Sequence, residues 1–273
     1  MSSKIDKDML KNPDLFISTS DKIFNYIEHH FKTAVTLLGL VFFAGVGYVA
    51  YGYVTSAKEQ KAAEALYQPE AGLRKAENDI KEQQAKVARE KQINEAKVDI
   101  KGVKKAKKEA PLPERTVDFA KDYGSHVDAI KAQLRQFAGT KAALVSALNL
   151  SYFLAQQKKY DMAAEVLEIP TYHPKPGELL GGFWYMHRGG ILLENQKVEP
   201  AIDSFQSVVN SPALKPFHPE ALLKLGICFE IKGDAEKART TYEKISRDFP
   251  ETEASSFAQQ YLRLLELKTA KQG

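Results

Sequence analysis

The sequence predicts an all-α protein in which a single N-terminal transmembrane helix is followed by a helical-repeat solenoid. Three observations carry that expectation. Residues 33–55 (TAVTLLGLVFFAGVGYVAYGYVT) hold no charged side chain. From residue 116 onward, amphipathic stretches at helical spacing alternate with short breaks. Aligned with itself, this second region repeats: Ala163, Ala201 and Ala238 take corresponding places 38 and 37 residues apart.

The uncharged run comes first. At ~1.5 Å per helical residue it reaches ~35 Å, enough to cross a bilayer core. Ten of its 23 residues are Leu, Val or Phe, worth about −3 to −6 kcal/mol of insertion free energy against four glycines and three threonines. Tyr48, Tyr51 and Tyr53 crowd its far end, where amphipathic rings settle at a headgroup boundary. A cleavable signal peptide is the rival reading, but the 32 residues before the run carry five Lys against five Asp or Glu, too long and too acidic for an n-region. Flanking Lys and Arg number two before the span (Lys22, Lys32) and four after it (Lys58, Lys61, Arg74, Lys75). That bias leans to a cytosolic C-terminal part, although long domains translocate largely regardless of charge.

The expected organisation is a soluble tail over 1–32, the span at 33–55, a helical extension with a basic insert and Pro linker over 56–115, and a repeat domain over 116–273. Residues 56–68 are good helix formers that continue the membrane helix outward. Pro69 and Gly72 are expected to interrupt it. Beyond them Leu73, Ile80 and Val87 recur every seven residues, with Ile93, Ala96, Ile100 and Val103 behind, which suits a helical hairpin, a loose two-stranded seam or a solvated helix. Residues 74–109 hold 12 Lys or Arg against 7 Asp or Glu, a surplus of +5 against a net charge of +4 for the whole chain, so the remainder is close to neutral. Aromatic interleaving is missing, and nucleic acid is not an expected partner. The stretch APLP at 110–113 closes the insert as a stiff linker.

The last repeat copy, 219–250, is the clearest. Leu222, Leu225, Gly226 and Phe229 share one helix, Gly233 makes the turn, and Ala238, Tyr242 and Ile245 lead to Pro250. This resembles the tetratricopeptide repeat. Weaker copies place Leu150, Tyr160, Ala163 and Leu167, then Tyr185, Gly189, Leu192, Ala201, Phe205 and Val208, at matching offsets. Small residues at 226 and 238 let paired helices approach closely while larger ones fill the seam to the next pair. Residues 117–137 are expected to cap one end of the stack, and 253–267 the other, through an apolar stripe of Phe257, Tyr261 and Leu264.

Chemistry is scarce. The lone Cys228 sits in an apolar helical pattern, as a small core residue does, and excludes an intramolecular disulfide. Six histidines form no HExxH spacing; His173 and His218 precede prolines and read as surface residues. Neither GxSxG nor GxxxxGK[ST] occurs, while the doublets 181–182 and 189–190 suit a helix start and close helix packing. No catalytic, metal or cofactor site is expected. Stacked helix pairs instead offer a concave wall built from first-helix positions: Asn149 and Tyr152, then Phe183, Met186 and His187, then Lys224 and Ile227. Polar tips beside aromatic faces suit an extended or helical peptide. The alternative is that these side chains pack under a terminal helix. Asn149 and Lys224 stand where some peptide-binding relatives hold a carboxylate terminus, and His187 departs from that pattern.

The order of parts, with FFAGVGYVAYGYV, then LSYFLAQQKKYDMAAEVL, then ALLKLGICFEIKGDAEKARTTYEKI, resembles the ancillary subunit of the Sec translocon, a single-span bacterial inner-membrane family. The resemblance implies a cytoplasmic N-terminus, a periplasmic repeat domain, and a non-enzymatic adaptor that holds periplasmic chaperones or emerging polypeptides near the channel. The basic insert and the longer N-terminal tail depart from that family. Two other classes stay open at this level. One is an envelope-assembly or cell-division scaffold that oligomerises through the insert; the other is an anchored receptor whose repeats face the cytosol.

Overall fold

The structure, a computed structural model, describes residues 31–98, 116–172, 174 and 178–270, all of them helical or in turns and connections, with no strand among them. The N-terminal tail, the APLP linker, His173, Ile100 and Val103 lie outside these residues. The chain divides into two compact units, Met1–Lys58 and Glu59–Gly273.

In the first unit the described chain is the start of helix α1 (Phe31–Val98). Leu38, Phe43, Tyr48, Tyr51 and Tyr53 are all exposed. Among the described helices α1 is long and apolar enough to cross a membrane, with an 18-residue window of mean hydropathy 1.8 that is nowhere buried within the chain. The Thr55 hydroxyl donates back to the Tyr51 carbonyl at 2.8 Å, so this donor is satisfied within the helix.

The second unit begins with the rest of α1 and continues through α2 (Phe119–Gln136), α3 (Lys141–Gln156), α4 (Tyr160–Leu167), α5 (Leu179–Glu194), α6 (Val198–Val209), a 3-10 turn at Pro212–Phe217, α7 (His218–Ile231), α8 (Ala235–Asp248) and α9 (Glu253–Ala270). Helices α3/α4, α5/α6 and α7/α8 are the three repeat pairs. Asp118 caps α2 by accepting from the Ala120 and Lys121 amides, and Asp234 caps α8 through the Lys237 amide. The turn inside each pair needs one residue in the left-handed region. The third pair uses Gly233 (φ 78°), whereas the first and second place Lys158 (φ 56°) and Gln196 (φ 60°) there.

Close approach within the pairs rests on small residues. At Gly226 a β-carbon would lie 2.1 Å from the Tyr242 ring, and at Gly189 it would lie 2.6 Å from Phe205. Both rings are fully buried. Tyr242 donates to Glu230 Oε1 at 2.8 Å and stacks on Tyr261 at 5.4 Å. Cys228 lies beside them, wholly enclosed, and burial pushes its thiol up to about 11. Arg188 reaches the first pair by donating to Glu168 at 2.6 Å, while within its own pair it donates to Ser204 at 2.7 Å and lies over the Trp184 ring. Second-helix acids form a repeating tie to the next pair: Asp161 with Lys197, then Glu199 with Lys232. Such exposed pairs set register more than stability.

The structure corrects the sequence reading in four places. First, α1 is not interrupted at Pro69 and Gly72; Pro69 lies inside it. A helix-interior proline costs about 3 kcal/mol, but Leu66 on one side and Leu73 and Ile80 on the other are buried in one core with Tyr123, Val127 and Ile130 of α2 and Leu150 and Phe153 of α3. At about 1.5–3 kcal/mol for each large side chain, that burial outweighs the break. Second, Leu73 and Ile80 are therefore consumed by the repeat core and do not line a hairpin or a two-stranded seam, while Val87 is only half-buried and Ile93 exposed. Third, α9 buries Ala254, Ala258 and Leu265, with Tyr261 half-buried, and leaves Phe257 and Leu264 exposed. Packing on α8 demands the small residues, which turns the large ones outward. Fourth, His218 is half-buried, its Nε2 donating to the Ser211 carbonyl at 2.9 Å, because it begins α7 beneath the 3-10 turn and so is not a plain surface residue.

Candidate functional site

The first helices α3, α5 and α7 present the seven residues of the expected wall. Asn149 and Tyr152 are exposed on α3; Phe183 is exposed on α5, with Met186 and His187 half-buried below it; Lys224 and Ile227 are half-buried on α7. Asn149 and Tyr152 line one cavity. Tyr152 and His187 lie 6.3 Å apart between ring centroids, which joins the first pair to the second. Phe183 meets Phe217 edge-on at 5.1 Å, and Met186 packs on the core that α5 shares with α7. His187 Nε2 and Ser151 Oγ are hydrogen-bonded at 3.2 Å, and burial holds the imidazole below its usual range, so it is neutral near pH 7.

The cavity beside Asn149 and Tyr152 has a volume of 390 Å³, within the range of small-ligand and side-chain pockets. Its floor is apolar: Leu73, Ile130, Leu150 and Phe153. Its rim is polar and of both signs. Glu70, Arg74, Glu77 and Lys81 come from α1, and Gln156 from α3. Glu77 holds Lys81 at 2.6 Å, a bond that raises the ammonium's pKa, while Arg74 stands 3.9 Å from Glu70 with most of its side chain in solvent. An apolar floor ringed by charges and amides can seat one side chain of a polypeptide while the rim bonds its backbone.

Sequence reasoning missed the α1 half of this site because the extension was read as separate from the repeats. A signal was present. Ala62, Leu66, Leu73 and Ile80 keep one helical face across Pro69, and all four are buried. Glu59 adds to the join: its carboxylate accepts from the Lys141 and Ala142 amides at 2.8 and 3.1 Å, at the N-terminus of α3, where a negative charge meets the positive end of the helix. Thr140, the N-cap residue, accepts from the Ala143 amide.

A second cavity, 640 Å³, opens between Leu144 and Leu167 of the first pair, Trp184 and Tyr185 of the second, and Leu214 of the 3-10 turn. Glu178 stands at its edge, held by the Tyr172 hydroxyl at 3.0 Å and the Lys141 ammonium at 2.7 Å. Among the described residues no three of His, Cys, Asp or Glu are grouped to hold a metal ion.

Against known proteins, the tetratricopeptide repeat family matches residues 220–252, which are α7 and α8 with their turn. No curated protein and no solved structure matches the chain. Tetratricopeptide repeats are protein–protein interaction modules and typically non-enzymatic. The chain therefore contains a tetratricopeptide repeat, at its third helix pair, on an all-helical scaffold.

Proposed function

We propose that the chain is a membrane-anchored, non-enzymatic adaptor. Residues 33–55 hold it in a bacterial inner membrane, with the N-terminus cytoplasmic and the repeats in the periplasm. There the first-helix face gathers periplasmic chaperones or emerging polypeptides beside the Sec translocon. The observation that carries the adaptor role is the 390 Å³ cavity, whose apolar floor and mixed-charge rim join α1 to the first repeat pair and continue through Tyr152 to His187. The exposed apolar run of α1 supports the anchor, and the resemblance to the translocon's ancillary subunit supports the address. Burial of Leu73 and Ile80 favours this reading over a scaffold that oligomerises through residues 73–103, since two apolar residues of that seam are already used.

Mild crosslinking in cells, followed by purification through the full-length chain, tests it. Channel subunits, chaperones or client polypeptides are expected in the product. Tyr152→Ala with Phe183→Ala is expected to lower their recovery at least about tenfold, as loss of aromatic anchors does. Equal recovery from wild type and variant, or recovery of no other protein, would overturn the proposal.

A further inference from the structure

The outer face of α9, the last helix among the described residues, carries large apolar side chains. A terminal helix of a repeat array needs a polar outer side to keep the array from growing. Here Phe257, Leu264 and Leu267 are exposed to 41, 49 and 61%. At 100° per residue they fall within one quarter-turn of each other, so they form one stripe and not scattered singles. Glu253 opens that stripe, Lys268 closes it, and Gln260 sits at its middle; all three are exposed.

We infer that α9 is a self-association surface whose occupant is α9 of a second copy, lying antiparallel across a two-fold axis. The charges pick that partner and that direction. Run antiparallel about the midpoint between Gln260 and Tyr261, two copies put Glu253 against Lys268 and Phe257 against Leu264, and the same contacts recur by symmetry. Run parallel, like charges would meet at both ends, which is unfavourable. Lys268 also reaches Glu230 Oε2 of α7 at 3.2 Å, yet its side chain stays 66% exposed and keeps two more N–H donors. The strip is one helix wide and, from residue 253 to 268, ~22 Å long. It falls below the area of a permanent dimer, so the pairing is reversible. It uses a surface remote from α3 and α5 and does not depend on what the first-helix face binds.

Cysteine crosslinking of the full-length protein in detergent micelles distinguishes the geometry. Cys228 can stay, since it is fully buried and burial pushes its thiol up to about 11. Gln260→Cys is expected to give a disulfide dimer under mild oxidation. Glu253→Cys alone is not, because its symmetry mate lies ~22 Å away, yet mixed with Lys268→Cys protein it should form the heterologous pair. Leu264→Glu is expected to raise the dimer dissociation constant at least about tenfold with helicity unchanged, and Glu253→Lys to raise it in the same direction. Absence of a Gln260→Cys dimer, or a Glu253→Cys dimer of equal yield, would overturn the inference. The same holds if Leu264→Glu and Glu253→Lys both left the dissociation constant unchanged.

Discussion

Gly189 and Gly190 are neighbours in the middle of α5, and alanine at the two positions should change stability in opposite directions. Replacing a helix-interior glycine with alanine gains about 1 kcal/mol from restricting the unfolded chain and restoring helix propensity. At Gly190 nothing lies within 4 Å of the new methyl, so Gly190→Ala is expected to keep that gain. At Gly189 the methyl would meet Phe205 Cε1 at 2.6 Å, Cζ at 2.7 Å and Cδ1 at 2.9 Å. Ordinary contact would need the ring to retreat by nearly an ångström, yet Phe205 is fully buried in the α5/α6 seam. Overpacking of this kind costs about 1–3 kcal/mol and more where the core is tight, so Gly189→Ala is expected to lose about 1–2 kcal/mol net. The two variants should differ by about 2–3 kcal/mol. For a unit of this size that corresponds to roughly 5–10 °C between their midpoints. Thermal unfolding of the full chain in detergent, followed by far-ultraviolet circular dichroism, reads the difference. Midpoints that shift in the same direction, or Gly189→Ala unfolding at or above the wild-type temperature, would refute the packing argument for the paired helices.

Three further outcomes follow from other contacts. Glu59→Gln removes the carboxylate charge that caps α3 from α1, and is expected to cost about 1 kcal/mol, read as a lower unfolding midpoint. His187 is held below its unfolded value of 6.5 by burial. Above that pH it is neutral in both states and contributes nothing, whereas below it the unfolded chain takes the proton first and folding loses stability. Midpoints measured at pH 7.5 and pH 5.5 should therefore fall less for His187→Gln than for wild type, and an equal fall would contradict this. Gln196→Gly relieves a left-handed backbone worth about 1–2 kcal/mol against a glycine entropy cost of about 0.5–1. A small rise in denaturant midpoint is expected, and a fall of more than about 1 kcal/mol would refute the strain assigned to that turn.

Much of the fold is written in local pattern. The third pair is legible because its small residues, aromatics and turn glycine agree with one another. The first two turns were harder to read because Lys158 and Gln196 occupy the left-handed position by tertiary demand, with no glycine to announce them. Pro69 misled for a related reason. A helix-breaking propensity is local and costs a few kcal/mol, whereas the burial that overrides it depends on residues 50 to 90 positions further along the chain. In α9 the spacing of the large apolar residues points to Phe257 and Leu264 as the buried stripe, whereas close packing against α8 selects Ala254 and Ala258. First-helix offsets alone point to Tyr152 and His187, which lie 6.3 Å apart, and carry no sign of the four charged residues of α1 that rim the cavity beside Tyr152.

A photo-crosslinking residue placed at Tyr152 in full-length protein in intact cells reports whether the first-helix face holds other polypeptides. Its counterpart is the same residue placed at Glu243, exposed on the second helix of the third pair. Adducts to other polypeptides from position 152 and few from position 243 are predicted. Equal labelling from both, or none from position 152, would contradict the account.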